Sequence, residues 1–389
     1  MHLVAVSHKL CWPSPRADSG FGTDGGFPLQ MGVISELFTS TTIVVPCTSS
    51  SSESGLTPLI GKNLRIVSLT LPRGQGLRRK LGLPLWLAKN GTVIWREIRR
   101  ADAVHAPIPG DVGTIGLIAA MLMRKPLFVR HCGNWFVQKT TAERFWKWLM
   151  ERFAGGRNVM LATGGAPEPP SRRNPKIAWI FSTSLRSDQM AAAEPLNYSN
   201  NEILRLIIVC RQEPNKGTEM VIDSMPLVQK TFPGVTLDIV GGGSLLDALR
   251  QQAAKLGLTD RVRFHGKIEQ AKVLDLLKRS HVFCYPTSAS EGFPKVVLEA
   301  LACGLPIATT RVSVLPELLK SGCGVLLDET TPEALAEAVK KIASDGGEYE
   351  RMSRHALETV REYTLEKWRD EIGQKLRTAW NTKDLSYPV

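Results

Sequence analysis

Cysteine is sparse and dispersed: the seven residues (Cys11, Cys47, Cys132, Cys210, Cys284, Cys303, Cys323) are odd in number and nowhere form a Cys-x-x-Cys pair. Neither a disulfide framework nor a zinc site is signalled, and a reducing cytoplasm is the expected compartment. Long apolar runs are missing too. The longest uncharged apolar stretch lies between Asp111 and Arg124, short of the roughly 20 residues a membrane-spanning helix needs. The opening Met-His-Leu-Val-Ala-Val-Ser-His-Lys lacks a charged region followed by an apolar one, so it reads as a buried strand and not as a signal peptide. No repeat of fixed period occurs, and only Ser49 to Ser52 is of low complexity. Acid is scarce in one half only. Residues 1–180 carry 23 Lys and Arg against 10 Asp and Glu, whereas residues 181–389 carry 26 against 27, so the whole +12 excess sits in the first half. That half is expected to face something anionic: a membrane surface, a nucleic acid or a phosphorylated substrate.

What is present is ordinary globular material in quantity. The 389 residues exceed one core of roughly 100 to 200 residues and predict two domains. A hydrophobic share of 43% with 22% charged residues excludes both a stapled mini-protein and wholesale disorder. Short β-rich runs recur at 2–7, 42–46, 65–69, 103–106, 126–130 and 158–162, and again at 204–210, 235–240, 261–264, 281–285, 306–309 and 324–327. Helical spacing separates them, which predicts two doubly wound, mostly parallel sheets. The proline-rich 163–176 stretch reads as a surface loop near the domain boundary. Residues 366–380 predict a final amphipathic helix with Trp368, Ile372, Leu376 and Trp380 on one stripe.

The most informative segment runs from Pro286 to Pro306, Pro-Thr-Ser-Ala-Ser-Glu-Gly-Phe-Pro-Lys-Val-Val-Leu-Glu-Ala-Leu-Ala-Cys-Gly-Leu-Pro. A strand feeds a small-residue loop, then a helix with Pro294 as its first residue and Gly304 and Pro306 as its stop. Backbone N–H groups at Gly292 to Lys295 would favour phosphate. Glu291 precedes the helix and Glu299 lies about two turns along it, placed to accept from sugar or ribose hydroxyls. A plain strand-loop-helix unit with a capping Glu fits the same spacing. In Val209-Cys-Arg-Gln-Glu-Pro-Asn-Lys-Gly-Thr218, Arg211 and Lys216 follow another strand and suit a diphosphate, although a solvated basic turn is the simpler reading of this cluster by itself. Val240-Gly-Gly-Gly-Ser244 lacks the Gly-x-Gly-x-x-Gly spacing and reads as a tight structural turn. In the first half, Gly25 and Gly26 would let backbone approach a ligand. His131 immediately follows the strand that ends at Arg130, and His105 is a weaker candidate of the same kind.

Ser290-Glu-Gly-Phe-Pro with Glu299-Ala-Leu-Ala-Cys-Gly-Leu-Pro306 resembles the Glu-x7-Glu signature of retaining, nucleotide-sugar-dependent glycosyltransferases of family 4. The Arg211 to Gly217 cluster, Val240 to Gly243, Phe264-His-Gly266 and Leu315-Pro-Glu317 agree with it in order and spacing, so the resemblance is strongest over 204–330. It implies the GT-B fold, two Rossmann-like domains facing across a cleft: residues 1–185 for the acceptor, 186–365 for the donor, with 366–389 packing back on the first. It implies that Arg211 and Lys216 hold the donor diphosphate, that Glu291 with Gly292, Phe293 and Pro294 contacts donor sugar and phosphate, and that Glu299 takes the ribose. Lys267 and Ile268 would lie beside the base, Gly25 and Gly26 would close over the phosphates, and His131 would touch the transferred sugar. No obligatory cofactor or metal is implied, only a UDP- or GDP-linked sugar as co-substrate. Two departures stand out: Ile180-Phe-Ser-Thr-Ser184 replaces the usual Asn-Gly-Val-Asp, and Val312-Ser313 replaces a double glycine.

Residues 73–100 mix eight basic residues, among them Arg78, Arg79, Lys80 and Arg96, with Leu83, Leu85, Trp86 and Trp95. Glu143 to Phe153 is a second aromatic-rich candidate. Basic residues interleaved with Trp and Leu suit an anionic bilayer, and a helix with its apolar residues packed inward is the alternative. Nucleic acid is the poorer explanation, since no nucleic-acid motif accompanies the charge. The sequence thus predicts a cytoplasmic retaining glycosyltransferase, peripheral at the inner membrane face, acting on a glycan or lipid-linked acceptor. A non-catalytic nucleotide-sugar binder and an epimerase of the same fold are the alternatives.

Overall fold

A computed structural model describes residues 1–50, 56–72, 74, 76–138, 140–166, 168–190, 193–199, 202–289 and 292–385. The chain divides into two compact units, Met1–Ser184 with Leu365–Val389, and Leu185–Thr364.

The first unit is built on seven parallel strands: β1 (His2–Val6), β2 (Ser40–Pro46), β3 (Leu64–Leu69), β4 (Ala103–Ile108), β5 (Leu127–His131), β6 (Asn158–Thr163) and β7 (Ala178–Ile180). They lie in the order β7-β6-β5-β4-β1-β2-β3. Every residue of β4 and β5 is buried, as expected where helices cover both faces of a parallel sheet. The two-residue period of a strand then sorts side chains between two cores. Val4, Val6, Val44 and Val104 face α2 (Gly76–Arg100), α3 (Asp111–Leu122) and α4 (Thr141–Phe153). Leu3, Ala5, Ile43 and Val45 face α1 (Phe27–Ser35) and the C-terminal helix Leu365–Trp380, whose Trp368, Ile372 and Leu376 are buried. A small antiparallel sheet of Trp12–Pro13, Phe21–Thr23 and Thr57–Pro58 holds the segment between β1 and α1.

The second unit repeats the plan with β8 (Arg205–Val209), β9 (Thr236–Val240), β10 (Val262–Gly266), β11 (Val282–Tyr285), β12 (Ile307–Thr309) and β13 (Gly324–Leu326). They lie in the order β10-β9-β8-β11-β12-β13, all parallel. Its helices are α5 (Thr218–Gln229), α6 (Leu246–Lys255), α7 (Gln270–Arg279), α8 (Lys295–Ala302), α9 (Leu315–Leu318), α10 (Pro332–Ala343) and α11 (Gly346–Val360). Both sheets therefore have the dinucleotide-fold strand order, with a reversal of direction at β1/β4 and at β8/β11.

Two expectations change. The proline-rich 163–176 stretch joins β6 to β7 inside the first unit and so does not lie at the division of the chain, which follows Ser184. Pro294 is the cap of α8, extended at φ −80° and ψ 99°, so the helix begins one residue later than expected. In α2 the apolar residues divide: Trp86, Ile94 and Ile98 are buried, while Leu81, Leu85, Leu87 and Trp95 face outward. Trp86 Nε1 donates to the Thr70 carbonyl at 2.7 Å, and Asn90 Oδ1 accepts from the Thr70 N–H at 2.9 Å, which fixes the inner face.

Candidate functional site

In the second unit two loops leave the carboxyl ends of β8 and β11, the strands that flank the reversal point, where ligands bind in open α/β sheets. Residues 210–217 form one, and the described residues of 286–294 belong to the other; residues 286–289 pack on the first loop backbone against backbone. Gly217, at φ +82°, caps α5, and a Cβ there would lie 2.3 Å from the Pro286 carbonyl oxygen. Gly241, at φ +120°, would place a Cβ 1.8 Å from the Cys210 carbonyl oxygen. No side chain fits at either position, so the glycines of 240–243 are structural, as their spacing indicated.

Polar groups then join the loops. The Asn215 carbonyl accepts from Ser288 N–H at 3.1 Å, Ala289 N–H at 3.2 Å and Thr287 Oγ1 at 3.0 Å. Buried Gln212 donates from Nε2 to the carbonyls of Cys210 and Val240 and accepts the Thr218 hydroxyl at 2.7 Å. Glu213 accepts from both the N–H and the hydroxyl of Ser244, and these bonds hold its carboxyl below the usual range. A buried amide with all its partners rigidifies its surroundings, so the loops form a fixed platform.

Two cations stand on that platform. Arg211 is exposed and makes no ion pair among the described residues; Lys216 is only 7% exposed. Burial first, and the neighbouring Arg211 second, push the Lys216 ammonium down. A depressed lysine beside an arginine is an arrangement that an anion relieves. Phe293 and Pro294 are buried ahead of α8, with the Phe293 ring 5.6 Å from that of Tyr363. Glu299 accepts from Gln270 Nε2 at 2.8 Å. Gln270 opens α7 just after Lys267 and Ile268, so this bond brings Glu299 to the same edge of the unit as that segment. His265 Nε2 lies 2.6 Å from Asp238 Oδ1, which pins β10 to β9 immediately before it. Glu291 lies outside the described residues.

The first unit places the other candidates separately. Gly25, at φ +73° with open space around it, and Gly26, the cap of α1, form the turn before that helix. His131 ends β5; burial pushes its imidazole down to about 4, and its ring meets Trp135 edge-on at 5.3 Å. His105 is a core residue: it is enclosed within β4, stacked on Phe128 at 4.2 Å, with Nδ1 3.0 Å from the Phe128 carbonyl. A network that the sequence reading missed surrounds Arg130. This 5% exposed arginine donates to Gln30 Oε1 at 2.8 Å and lies over the Trp368 ring at 5.0 Å. Gln30 Nε2 in turn reaches Ser182 Oγ at 3.1 Å and the Thr183 carbonyl at 3.0 Å. An arginine inside the all-buried β5 run was the signal available. Among the described residues no three His, Cys, Asp or Glu side chains gather as a metal site. A cavity of about 900 Å³ beside β13, α10 and α11 shares no lining residue with the 210–217 and 286–294 loops.

Residues 197–359 match the model of the family described as glycosyl transferases group 1. The second unit carries a group 1 glycosyltransferase domain. The chain is 32% identical over 152 residues, 39% of its length, to the phosphatidyl-myo-inositol mannosyltransferase of Mycobacterium leprae, of which it covers 40%. It is 30% identical over 148 residues, 38% of its length, to the phosphatidylinositol N-acetylglucosaminyltransferase gpi3 subunit of Schizosaccharomyces pombe, of which it covers 32%. The matches thus span well under half of these relatives' own length. Among solved structures, Anabaena HepE in complex with UDP superposes with a TM-score of 0.71 at 18% identity, over 97% of this chain and all of that one. Sucrose-phosphate synthase from Thermosynechococcus elongatus gives 0.70 at 16% identity, over 98% and 99%. These likenesses extend through both units, so the group 1 domain sits in a chain of GT-B fold with two Rossmann-like domains.

Proposed function

We propose that the protein is a retaining glycosyltransferase that takes a sugar from a UDP- or GDP-linked donor and passes it to a glycan or lipid-linked acceptor. The observation that carries the reading is the Arg211 and buried Lys216 pair on a rigid two-loop platform at the β8/β11 reversal, inside a group 1 domain. In this reading the second unit binds the donor. Arg211 and Lys216 neutralise its diphosphate and the charge that grows as the nucleotide departs, where preorganised donors contribute most. Gly292, Phe293, Pro294 and Glu291 meet phosphate and donor sugar, Glu299 takes the ribose hydroxyls, and Lys267 with Ile268 flanks the base. From the first unit, Gly25 and Gly26 approach the phosphates. His131, neutral at pH 7 because its imidazole is pushed down to about 4, exchanges hydrogen bonds with the transferred sugar. The bond from the anomeric carbon to the phosphate oxygen breaks, the acceptor oxygen bonds to that carbon on the same face, and the acceptor proton passes to the departing phosphate. No separate strong base is required.

Two relatives are named for phosphatidylinositol, which supports a lipid acceptor at a membrane surface. Outward-facing Leu81, Leu85 and Trp95 on α2 and Phe145 and Trp148 on α4, set among basic residues, support docking of the first unit on an anionic bilayer. Among the described residues no helix is long and apolar enough to cross a membrane. The test is nucleotide release from UDP-, GDP- and dTDP-sugars, with and without membrane lipid extract, for wild type and Arg211→Ala. Lipid-dependent release from a UDP- or GDP-sugar, lost in the variant, is expected. Binding without release in every arm would leave a nucleotide-sugar binder, and lipid-independent turnover of the sugar an epimerase.

A further inference from the structure

The first unit carries a cysteine pair that the transfer reaction does not use. Cys11 lies between β1 and α1, and Cys47 directly follows β2. The two are opposed residues of a parallel bridge: the Cys11 N–H donates to the Pro46 carbonyl at 3.0 Å, and the Cys11 carbonyl accepts from the Thr48 N–H at 3.0 Å. Opposed residues of a ladder project to the same face. Neighbouring strands lie about 4.8 Å apart, inside the Cα separation of roughly 4.4 to 6.8 Å that a disulfide spans. Each thiol points toward the carbonyl two residues before it, Lys9 at 3.9 Å and Val45 at 3.6 Å. Both are free thiols, Cys11 buried and Cys47 half-buried. A hydrogen bond from the Cys11 thiol pushes Cys47 down and Cys11 up, so Cys47 is the readier thiolate.

We propose that Cys11 and Cys47 form a reversible disulfide by thiol–disulfide exchange with an external disulfide such as oxidised glutathione. The Cys47 thiolate attacks the external disulfide, forms a mixed disulfide and releases one thiolate. Cys11 then loses its proton to solvent, attacks the Cys47 sulfur and releases the second. Two protein thiols are oxidised, and one external disulfide is reduced to two thiols. The bond would tie the segment between β1 and α1 to the end of β2. Thr23 Oγ1 donates to the Leu10 carbonyl at 2.6 Å, and Gly22 pairs with Trp12, so residues 10–12 are joined to the strand two residues before Gly25. Oxidation therefore restrains the Gly25–Gly26 turn. This last consequence rests on the proposed donor role of that turn; the bond itself does not.

The full chain is equilibrated in graded mixtures of oxidised and reduced glutathione, alkylated, digested and read by mass spectrometry, with nucleotide release followed in parallel. A peptide linking Cys11 to Cys47 is expected in wild type and its loss in Cys47→Ser, with release altered at least threefold by oxidation in wild type only. Glutathionylated Cys47 without the link, or both thiols fully alkylated where exposed Cys132 is already oxidised, would overturn the site. A link that forms with release unchanged would overturn the coupling to the glycine turn. Absence of release in every sample would count against the proposed activity and leave the link still readable.

Discussion

The two sheets share one strand order and differ in how they hold the loops at their reversal points. In the second unit the loops meet main chain to main chain, at Gly217 against Pro286 and Gly241 against Cys210, and one carbonyl, that of Asn215, accepts three donors. In the first unit side chains do this work: Lys9 pairs with Asp24 at 2.5 Å, Arg79 clasps Asp111 through two bonds of 2.6 and 2.9 Å, and Arg130 reaches Gln30. A main-chain junction constrains residue type tightly, because only glycine fits; a side-chain junction can be rebuilt with other pairs. The family match falls on 197–359, the unit with the main-chain junctions. The basic excess and all nine tryptophans fall in the other, so tryptophan fluorescence reports on the first unit alone.

Acid should separate the two most strongly. Burial pushes His105 down to about 3 and His131 to about 4 in the first unit, and His281 to about 4 in the second; His2 and His8, also in the first, shift the same way. Between pH 6.5 and about 4 the unfolded chain binds protons that these folded rings refuse, so stability is full above pH 6.5 and falls as pH drops through that window. At 1.36 kcal/mol per pH unit the buried rings of His105, His131 and His281 each cost about 3 kcal/mol by pH 4. The first unit is expected to lose about twice as much as the second, and tryptophan fluorescence should report unfolding at a higher pH than does far-ultraviolet dichroism of the remainder. Coincident transitions would remove this difference.

Glycine replacement comes next. Gly241→Ala forces a Cβ into a carbonyl and is expected to cost about 3 kcal/mol or more, the sum of backbone strain and overpacking. Gly25→Ala, in open space, should cost about 1 kcal/mol and leave the tryptophan signal of the native state unchanged. Denaturant midpoints for the two variants check this, and equal losses would sink the contrast between the junction types. The smallest effect is expected on the outer face of the first unit. Leu85→Glu, at a side chain 80% exposed, should change stability by less than about 0.5 kcal/mol while weakening sedimentation with anionic vesicles severalfold. Undiminished sedimentation would move the docking face elsewhere.

Much of this was legible in the residues. The strands appear where β-rich runs end in glycine or proline, because a strand buried on both faces leaves a continuous apolar run. The 240–243 glycines read correctly as a turn, and Arg211 and Lys216 read correctly as strand-end cations. The short β7 was not legible, since Ala178-Trp-Ile180 follows closely on the proline-rich stretch, whose irregular pattern masks the strand. His105 looked like His131 because both end or interrupt apolar runs; only the enclosing Phe128 distinguishes them. The Arg130, Gln30 and Thr183 network joins residues about 100 and 153 positions apart, a separation that local pattern does not encode.

The central claim is that the 210–217 and 286–294 loops bind a nucleoside diphosphate through Arg211 and Lys216. Calorimetric titration of UDP and GDP into the full chain, wild type and Arg211→Ala, tests it most directly. One nucleotide should bind wild type, and the substitution should weaken it at least tenfold with the denaturation midpoint unchanged, since Arg211 is exposed. Equal affinity in the two proteins, or no binding of either nucleotide to a folded wild type, would contradict the account.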